Sequence, residues 1–329
     1  MQALHQTDDI TIIGPALIDI ITAPVPSALP SKGSHLVRET RITFGGDALN
    51  ESVVLSRFHK SAHLITKVGG DEAGRMVRDY IKANGVLGEH IKVEKGLETS
   101  VHIVLVDETG ERRFLMNENG SARRLCADDI LPYLPGAAKI VSFASLFISP
   151  PLILDIVGNL FAQIKQDPGR ILVADMTRAK NHETLYDLRP LLPYVDYILP
   201  NDSEIAQITG VEDPEENARL LVEAGAGCAV VKTGSQGCIV RTADACFRIP
   251  AYPDANCIDT TGAGDTFAAG FLWALSEGYS PTECARFGNA AASCSVEAYG
   301  AVNGILTIEE PMRRYRSMLE TAGKEAANV

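Results

Sequence analysis

Long apolar runs, basic blocks and paired cysteines are missing from this chain, and each absence excludes a class of protein. No apolar stretch approaches the roughly 20 residues of a membrane-spanning helix, so no membrane partner is expected. Lys and Arg number 30 against 42 Asp and Glu, a net charge of −12 with no basic block. Nucleic acid and anionic membrane surfaces are therefore not the expected partners. The seven cysteines, at 126, 228, 238, 246, 257, 284 and 294, are odd in number and form no Cys-x-x-Cys. That pattern fits reduced thiols in a cytoplasmic protein, not a disulfide framework or a zinc site. His59 and His63 have helical spacing, but Lys60-Ser61 between them reads as a turn and supplies no Glu, so the metalloprotease pattern is not met. The first ten residues are polar and acidic, unlike a secretory signal. Gly-x-Gly-x-x-Gly after the first strand is absent, which argues against a Rossmann dehydrogenase, and no Walker A loop occurs.

What is present is an alternation. Of 329 residues, 46% are hydrophobic, enough for a substantial core. Short apolar runs at 10–13, 63–66, 139–143, 171–174, 197–199 and 229–232 read as buried strands. Helical patterns at 48–58, 72–83, 151–165, 202–208 and 214–224 lie between them. Two helices rich in small residues, 264–277 and 281–298, follow; Ala290 to Ser293 in the second allow close backbone approach. The expected class is α/β, with a mostly parallel sheet covered by helices on both faces. Segments 36–42, 101–106 and 112–116 break the alternation and read as antiparallel strands, the last two joined by turn residues 107–111. They predict a small β-sheet lid, inserted at about 17–44 and 98–118 of a single domain spanning 1–329. Edge strands of the main sheet are the alternative. A lid excludes water where hydrolysis competes with transfer.

The most informative string is Asp259-Thr260-Thr261-Gly262-Ala263-Gly264-Asp265-Thr266-Phe267. Small residues lead into a helix start, whose free N–H groups and partial positive charge attract phosphate oxygens. Asp265 would stand there as a base for an attacking hydroxyl. Its plainer reading is a glycine turn with an aspartate cap. Gly45-Gly46-Asp47-Ala48-Leu49-Asn50 gives a tight turn with Asp47 placed to cap and Asn50 one turn along; such polar groups fork onto vicinal hydroxyls, or merely cap. Asp19 lies beyond the carboxyl end of the first strand, where α/β proteins place ligand groups, or where a turn needs an aspartate. Asn201-Asp202-Ser203-Glu204 reads as a helix start with a capping box.

Together these segments resemble the PfkB, or ribokinase-like, carbohydrate kinases, in family order from Gly14 to Ala298. The resemblance implies a ribokinase-like fold and an ATP-dependent sugar kinase, with Gly262, Ala263 and Gly264 as anion hole and Asp265 as base. Asp19, Gly46, Asp47 and Asn50 match sugar-contacting positions. Asn201, Lys232, Thr233, Gly234, Ser235, Gly237 and Asn289 match the ATP side, with Glu204 reaching Mg²⁺ through water. Asp259, Thr261, Ser295, Ala298, Gly300 and Gly304 match a monovalent-cation site, for K⁺ in many members. Ribokinase itself has a sugar-contacting Glu after strand 139–143, where this chain has Ala144-Ser145, a departure that argues against ribose. The Gly-Gly-Asp-Ala-Leu-Asn form is also similar to 2-keto-3-deoxygluconate kinases. The expected acceptor is a hydroxyl, primary by preference, of an unphosphorylated sugar or sugar acid. A nucleoside kinase, with Phe44 or Phe114 stacking on the base, and a non-catalytic sensor are the rivals. An exposed lid edge also points to a homodimer.

Overall fold

The structure, a computed structural model, describes residues 9–26, 33–109 and 111–327. Most of the polar N-terminal segment, residues 27–32 of the first insertion and Gly110 of the expected hairpin turn lie outside the described residues.

The strands are β1 (Asp9–Ile13), β2 (Leu17–Val25), β3 (Glu39–Gly45), β4 (Ser61–Gly69), β5 (Ile91–Glu94), β6 (Val101–Asp107), β7 (Arg112–Met116), β8 (Ile140–Leu146), β9 (Ile171–Met176), β10 (Tyr197–Ile198), β11 (Cys228–Lys232), β12 (Cys238–Arg241) and β13 (Cys246–Ile249). The helices are α1 (Asp47–Arg57), α2 (Glu72–Ala83), α3 (Ala127–Ile130), α4 (Leu154–Ile164), α5 (Leu185–Leu188), α6 (Asp202–Thr209), α7 (Pro214–Glu223), α8 (Ala263–Ser276), α9 (Pro281–Ser295) and α10 (Glu309–Ala327).

Nine strands form one sheet in the order β13-β12-β11-β10-β9-β8-β1-β4-β5. It is parallel except at its β11-β12-β13 end. Along each central strand the side chains alternate between two cores. Ile10, Ile12, Leu64 and Val230 face α1, α8 and α9. Ile13, Ile65, Val231 and Ile198 face α4, α6 and α7. Both sheet faces are thus buried, which is why these strands read as continuous apolar runs.

The remaining strands form a separate four-stranded sheet, β3-β2-β6-β7, so the edge-strand alternative fails. The hairpin β6–β7 is antiparallel as expected, as is β2–β3, but β2 and β6 pair in parallel. Strand β2 was not legible as such, because its partners lie on β3, 16 to 28 residues on, and on distant β6. Strand β5, the β12–β13 hairpin and α10 were also missed.

Helices α8 and α9 meet at glycines. A Cβ on Gly270 would lie 2.9 Å from Ala291 Cβ, and one on Gly288 would lie 3.0 Å from the Phe267 ring. Helix α8 is buried on all sides from Thr266 to Leu275. All seven cysteines are free. No described helix is long and apolar enough to cross a membrane.

Candidate active site

A cleft of about 610 Å³ opens at the carboxyl ends of the central strands and is lined by Asp47, Asp175, Asn201, Glu204, Lys232 and Asp265. One corner of it is the start of α8. Gly262 caps that helix with φ 71°, a left-handed conformation, and a Cβ there would collide with the Ala301 carbonyl. Only glycine meets both demands. Ala263, Gly264 and Asp265 then line the cleft with the free end of the helix.

Helix α1 supplies the groups opposite. Asn50 Nδ2 donates to Asp265 Oδ2 at 2.6 Å, joining two segments that lie 215 residues apart. Asp47, however, does not cap α1: Gly46 holds the cap position without a side-chain bond. Instead the Asp47 carboxylate accepts the Ser145 hydroxyl. Buried Glu51, one residue past Asn50, accepts from Ser142 Oγ at 2.8 Å.

The expected capping box is present. Asn201 Oδ1 accepts from Glu204 N at 2.8 Å, and Glu204 Oε2 accepts from Asn201 N at 2.9 Å. The box fixes Glu204 beside Lys232, whose strand bridges to Asn201. Lys232 turns inward and its ammonium donates to Asp175 Oδ2. Asp175, at the carboxyl end of β9, was not singled out from sequence, although the position that drew attention to Asp19 applied equally to it.

Negative charge outweighs positive here. Burial, then neighbouring Asp47, pushes Asp265 up to about 8, against the pull of Asn50 and Lys232. Burial pushes Asp175 up to about 7 despite Lys232. Burial also raises Asp47, Glu51 and Glu204. For Lys232, burial acts downward, but Asp175 and Glu204 outweigh it and the ammonium is held above its usual range. Such a carboxylate set, with hard oxygen donors and one ammonium, suits a divalent cation and phosphates. Among the described residues no group of three or more His, Cys, Asp and Glu side chains forms a direct metal site.

The ATP-side positions gather as expected in part. Lys232, Gly234, Ser235, Gly237 and Asn289 line the cleft together with Tyr252, Ala292, Ser293 and Val296. Thr233 is not in the lining. Asn289 Nδ2 donates to the carbonyls of Ile249 and Pro250 at 3.1 and 3.0 Å, so it braces the cleft wall.

The sugar-side positions lie next to this cleft. Asp19 sits in lid strand β2, opposite Thr43 and His102. His102 Nδ1 lies 3.4 Å from Asp19 Oδ1. Phe44 stacks on Tyr80 at 4.1 Å, on the other face of the lid from Asp19. It is therefore unavailable to stack on a base in the cleft.

The positions matched to a monovalent cation surround Asp259, which is buried. Its Oδ1 accepts from Thr261 N at 2.8 Å, Thr261 Oγ1 at 2.7 Å and Arg112 of β7 at 2.6 Å. Its Oδ2 accepts from Gly300 N at 2.9 Å. Ser295 Oγ donates to Ala292 O, and the Ser295 carbonyl crowds Gly304.

Comparison with known proteins identifies this arrangement. Residues 7–308 match the pfkB family of carbohydrate kinases. An uncharacterized sugar kinase from Archaeoglobus fulgidus is 30% identical over 257 residues, covering 76% of this chain and 97% of that protein. A bifunctional ribokinase/ribose-5-phosphate isomerase A from Fructilactobacillus sanfranciscensis is 26% identical over 91% of this chain, which spans 55% of that longer protein. The structure of Arabidopsis thaliana ribokinase complexed with ribose and ATP superposes with a TM-score of 0.80 at 23% identity, covering 94% of this chain and 99% of that one. With a family match across most of its length, this chain belongs to the pfkB family of carbohydrate kinases.

Proposed function

We propose that this kinase transfers the γ-phosphate of ATP to a hydroxyl, primary by preference, of an unphosphorylated sugar or sugar acid. The observation that carries the reading is the Asn50–Asp265 contact at the start of α8. In this reading a phosphate oxygen would meet the free helix N–H groups beside that carboxylate, and a hydroxyl would reach in from the lid side. Asp265 accepts the proton of the attacking hydroxyl, and the N–H groups around Ala263 and Gly264 take up charge on the transferring group. Lys232 gives part of its charge from Asp175 to the phosphates. Glu204, with Asp175 beside it, would hold Mg²⁺ through water; the ion neutralises phosphate charge when bound.

Asp19, Asn50 and the Gly46 turn would read the sugar. Three carboxylates, Asp19, Asp47 and Asp265, make that side unfavourable for a phosphorylated sugar. On the cleft face of the lid, Arg41 is held by exposed Glu39 and is the guanidinium left to read a sugar carboxylate. A nucleoside acceptor retains one favourable observation, the exposed Phe114 on the cleft face of the lid. The opposite lid face carries a row of apolar side chains, Ile42 (55% exposed), Ile20, Ile103 (40%) and Leu115 (56%), and a second copy of the chain is the proposed cover. The free cysteines fit a cytoplasmic enzyme.

The test is ADP release with saturating MgATP across fructose, ribose, 2-keto-3-deoxygluconate, fructose 6-phosphate and adenosine. An unphosphorylated sugar or sugar acid should give the highest kcat/KM. A lead of about tenfold for the phosphosugar or adenosine would replace this reading with the corresponding rival.

A further inference from the structure

The Asp259 carboxylate is saturated by the protein's own donors. Three come from the anion-hole loop and its neighbour: Thr261 N, Thr261 Oγ1 and Gly300 N. The fourth is the Arg112 guanidinium, which arrives from the lid, 147 residues away in sequence. Arg112 stands on the cleft face of the lid, opposite Val106. A second lid arginine lies near the same place: Arg41 is 6.0 Å from the centre of the Tyr299 ring, next to Gly300. Asp259 itself immediately precedes the turn that Gly262 caps. A monovalent cation on this carboxylate would meet a guanidinium 2.6 Å from the same oxygen and be repelled by it. The residues present therefore do not fit a bound K⁺.

We propose that Arg112 is a positioning residue and built-in counter-cation: through Asp259 it ties the lid to the anion-hole loop and makes a monovalent ion unnecessary. The lid then sets the order of the loop. When Arg112 is docked, Asp259 holds Thr261 and Gly300 in place, and the start of α8 keeps the shape that receives phosphate. The proposal rests on the kinase reading for its effect on turnover, but not for its effect on structure.

The experiment compares the full-length protein with Arg112→Gln and Arg112→Lys in KCl, NaCl and tetramethylammonium chloride at equal ionic strength. It reads melting temperature, hydrogen exchange in residues 259–265, and kcat separately from sugar KM. The wild type should melt and turn over alike in the three salts. Arg112→Gln should exchange faster in 259–265 and lose about tenfold in kcat, more than any change in KM, with K⁺ recovering part of both. Arg112→Lys should lie between the two. A wild-type melting temperature or kcat that rises markedly with K⁺ over tetramethylammonium overturns the proposal. So does an Arg112→Gln protein whose exchange matches wild type in every salt. If no acceptor supports turnover, melting and exchange still decide the role of Arg112, so failure of the kinase reading is told apart.

Discussion

The two sides of the cleft are built differently. On the phosphate side, Lys232, Asp175, Asn201 and Asp265 stand at strand ends and helix starts of a sheet buried on both faces. Each already has a protein partner: Lys232 donates to Asp175, Asn50 to Asp265, and the Glu204 N–H and Ser203 hydroxyl to Asn201. On the sugar side, Asp19, Thr43 and His102 stand on a four-stranded sheet whose apolar residues Ile42, Phe114, Leu115 and Met116 are exposed. On the proposed reading the transfer machinery is preassembled inside the body, while recognition falls to the more exposed lid sheet. Preorganised charge acts most strongly where water is excluded, so the division matches what each side must do.

The strongest way to break this contrast is Asp265→Asn. Turnover should fall by about 10²–10⁴-fold, because the general base is lost. The same change should raise the melting temperature of the ligand-free protein. Asp265, with a pKa of about 8, binds a proton in the fold that it has lost in the unfolded chain, so its burial costs stability as pH rises from about 4 toward 8. The gain should be larger at pH 8.5 than at pH 6, by calorimetry. A variant that keeps half the wild-type kcat, or melts lower at both pH values, would refute the preassembled base.

Lys232→Met should come next. It leaves Asp175 and Glu204 without their cation, and breaking a buried pair costs about 3–5 kcal/mol. The expected result is weaker MgATP binding by calorimetry, with Tm lowered most above pH 7, where Asp175 would ionise. Unchanged MgATP affinity would remove Lys232 from the phosphate side.

Asp19→Ala and Asn50→Ala address the other side. Each should raise sugar KM by roughly 10–100-fold, the equivalent of a charged hydrogen bond, while ATP affinity stays near wild type. Asn50→Ala should also lower kcat, because Asp265 loses its partner, whereas Asp19→Ala should not. Weakened ATP binding with intact sugar binding would exchange the two sides.

The smallest effect belongs to the outer lid face. Leu115→Glu should shift the assembly toward monomer by light scattering and change kcat by less than about threefold. A wild type that is monomeric at all concentrations would sink the proposed homodimer.

How much of this was legible in the sequence depended on how local the cause was. The capping box at Asn201 and the glycine turn before Asp265 are fixed within a few residues, and both lie where the motif predicts. The buried parallel strands were legible because both faces are apolar. Strand β5 was not, since its residues Ile91–Glu94 are mostly exposed and gain their strand character from pairing with β4. The capping reading of Asp47 failed because its partner, Ser145, is supplied by a strand 98 residues away. The Arg112–Asp259 contact was hidden for the same reason, as alternation alone placed Arg112 on a strand without naming what it faces.

The glycine seam between α8 and α9 has a consequence for how this enzyme tolerates change. Helix α8 is walled in along its length and meets Ala291 and Phe287 through Gly270 with no spare room. A single methyl group at Gly270 or Gly288 would press α8 and α9 apart, and α8 is the helix that starts at Asp265's turn. Saturation mutagenesis should therefore find near-inactive, well-folded variants at two positions that touch no ligand. The lid strands, by contrast, should accumulate substitutions that alter acceptor choice at little cost, leaving evolution free to redraw the substrate while the phosphate chemistry stays constant.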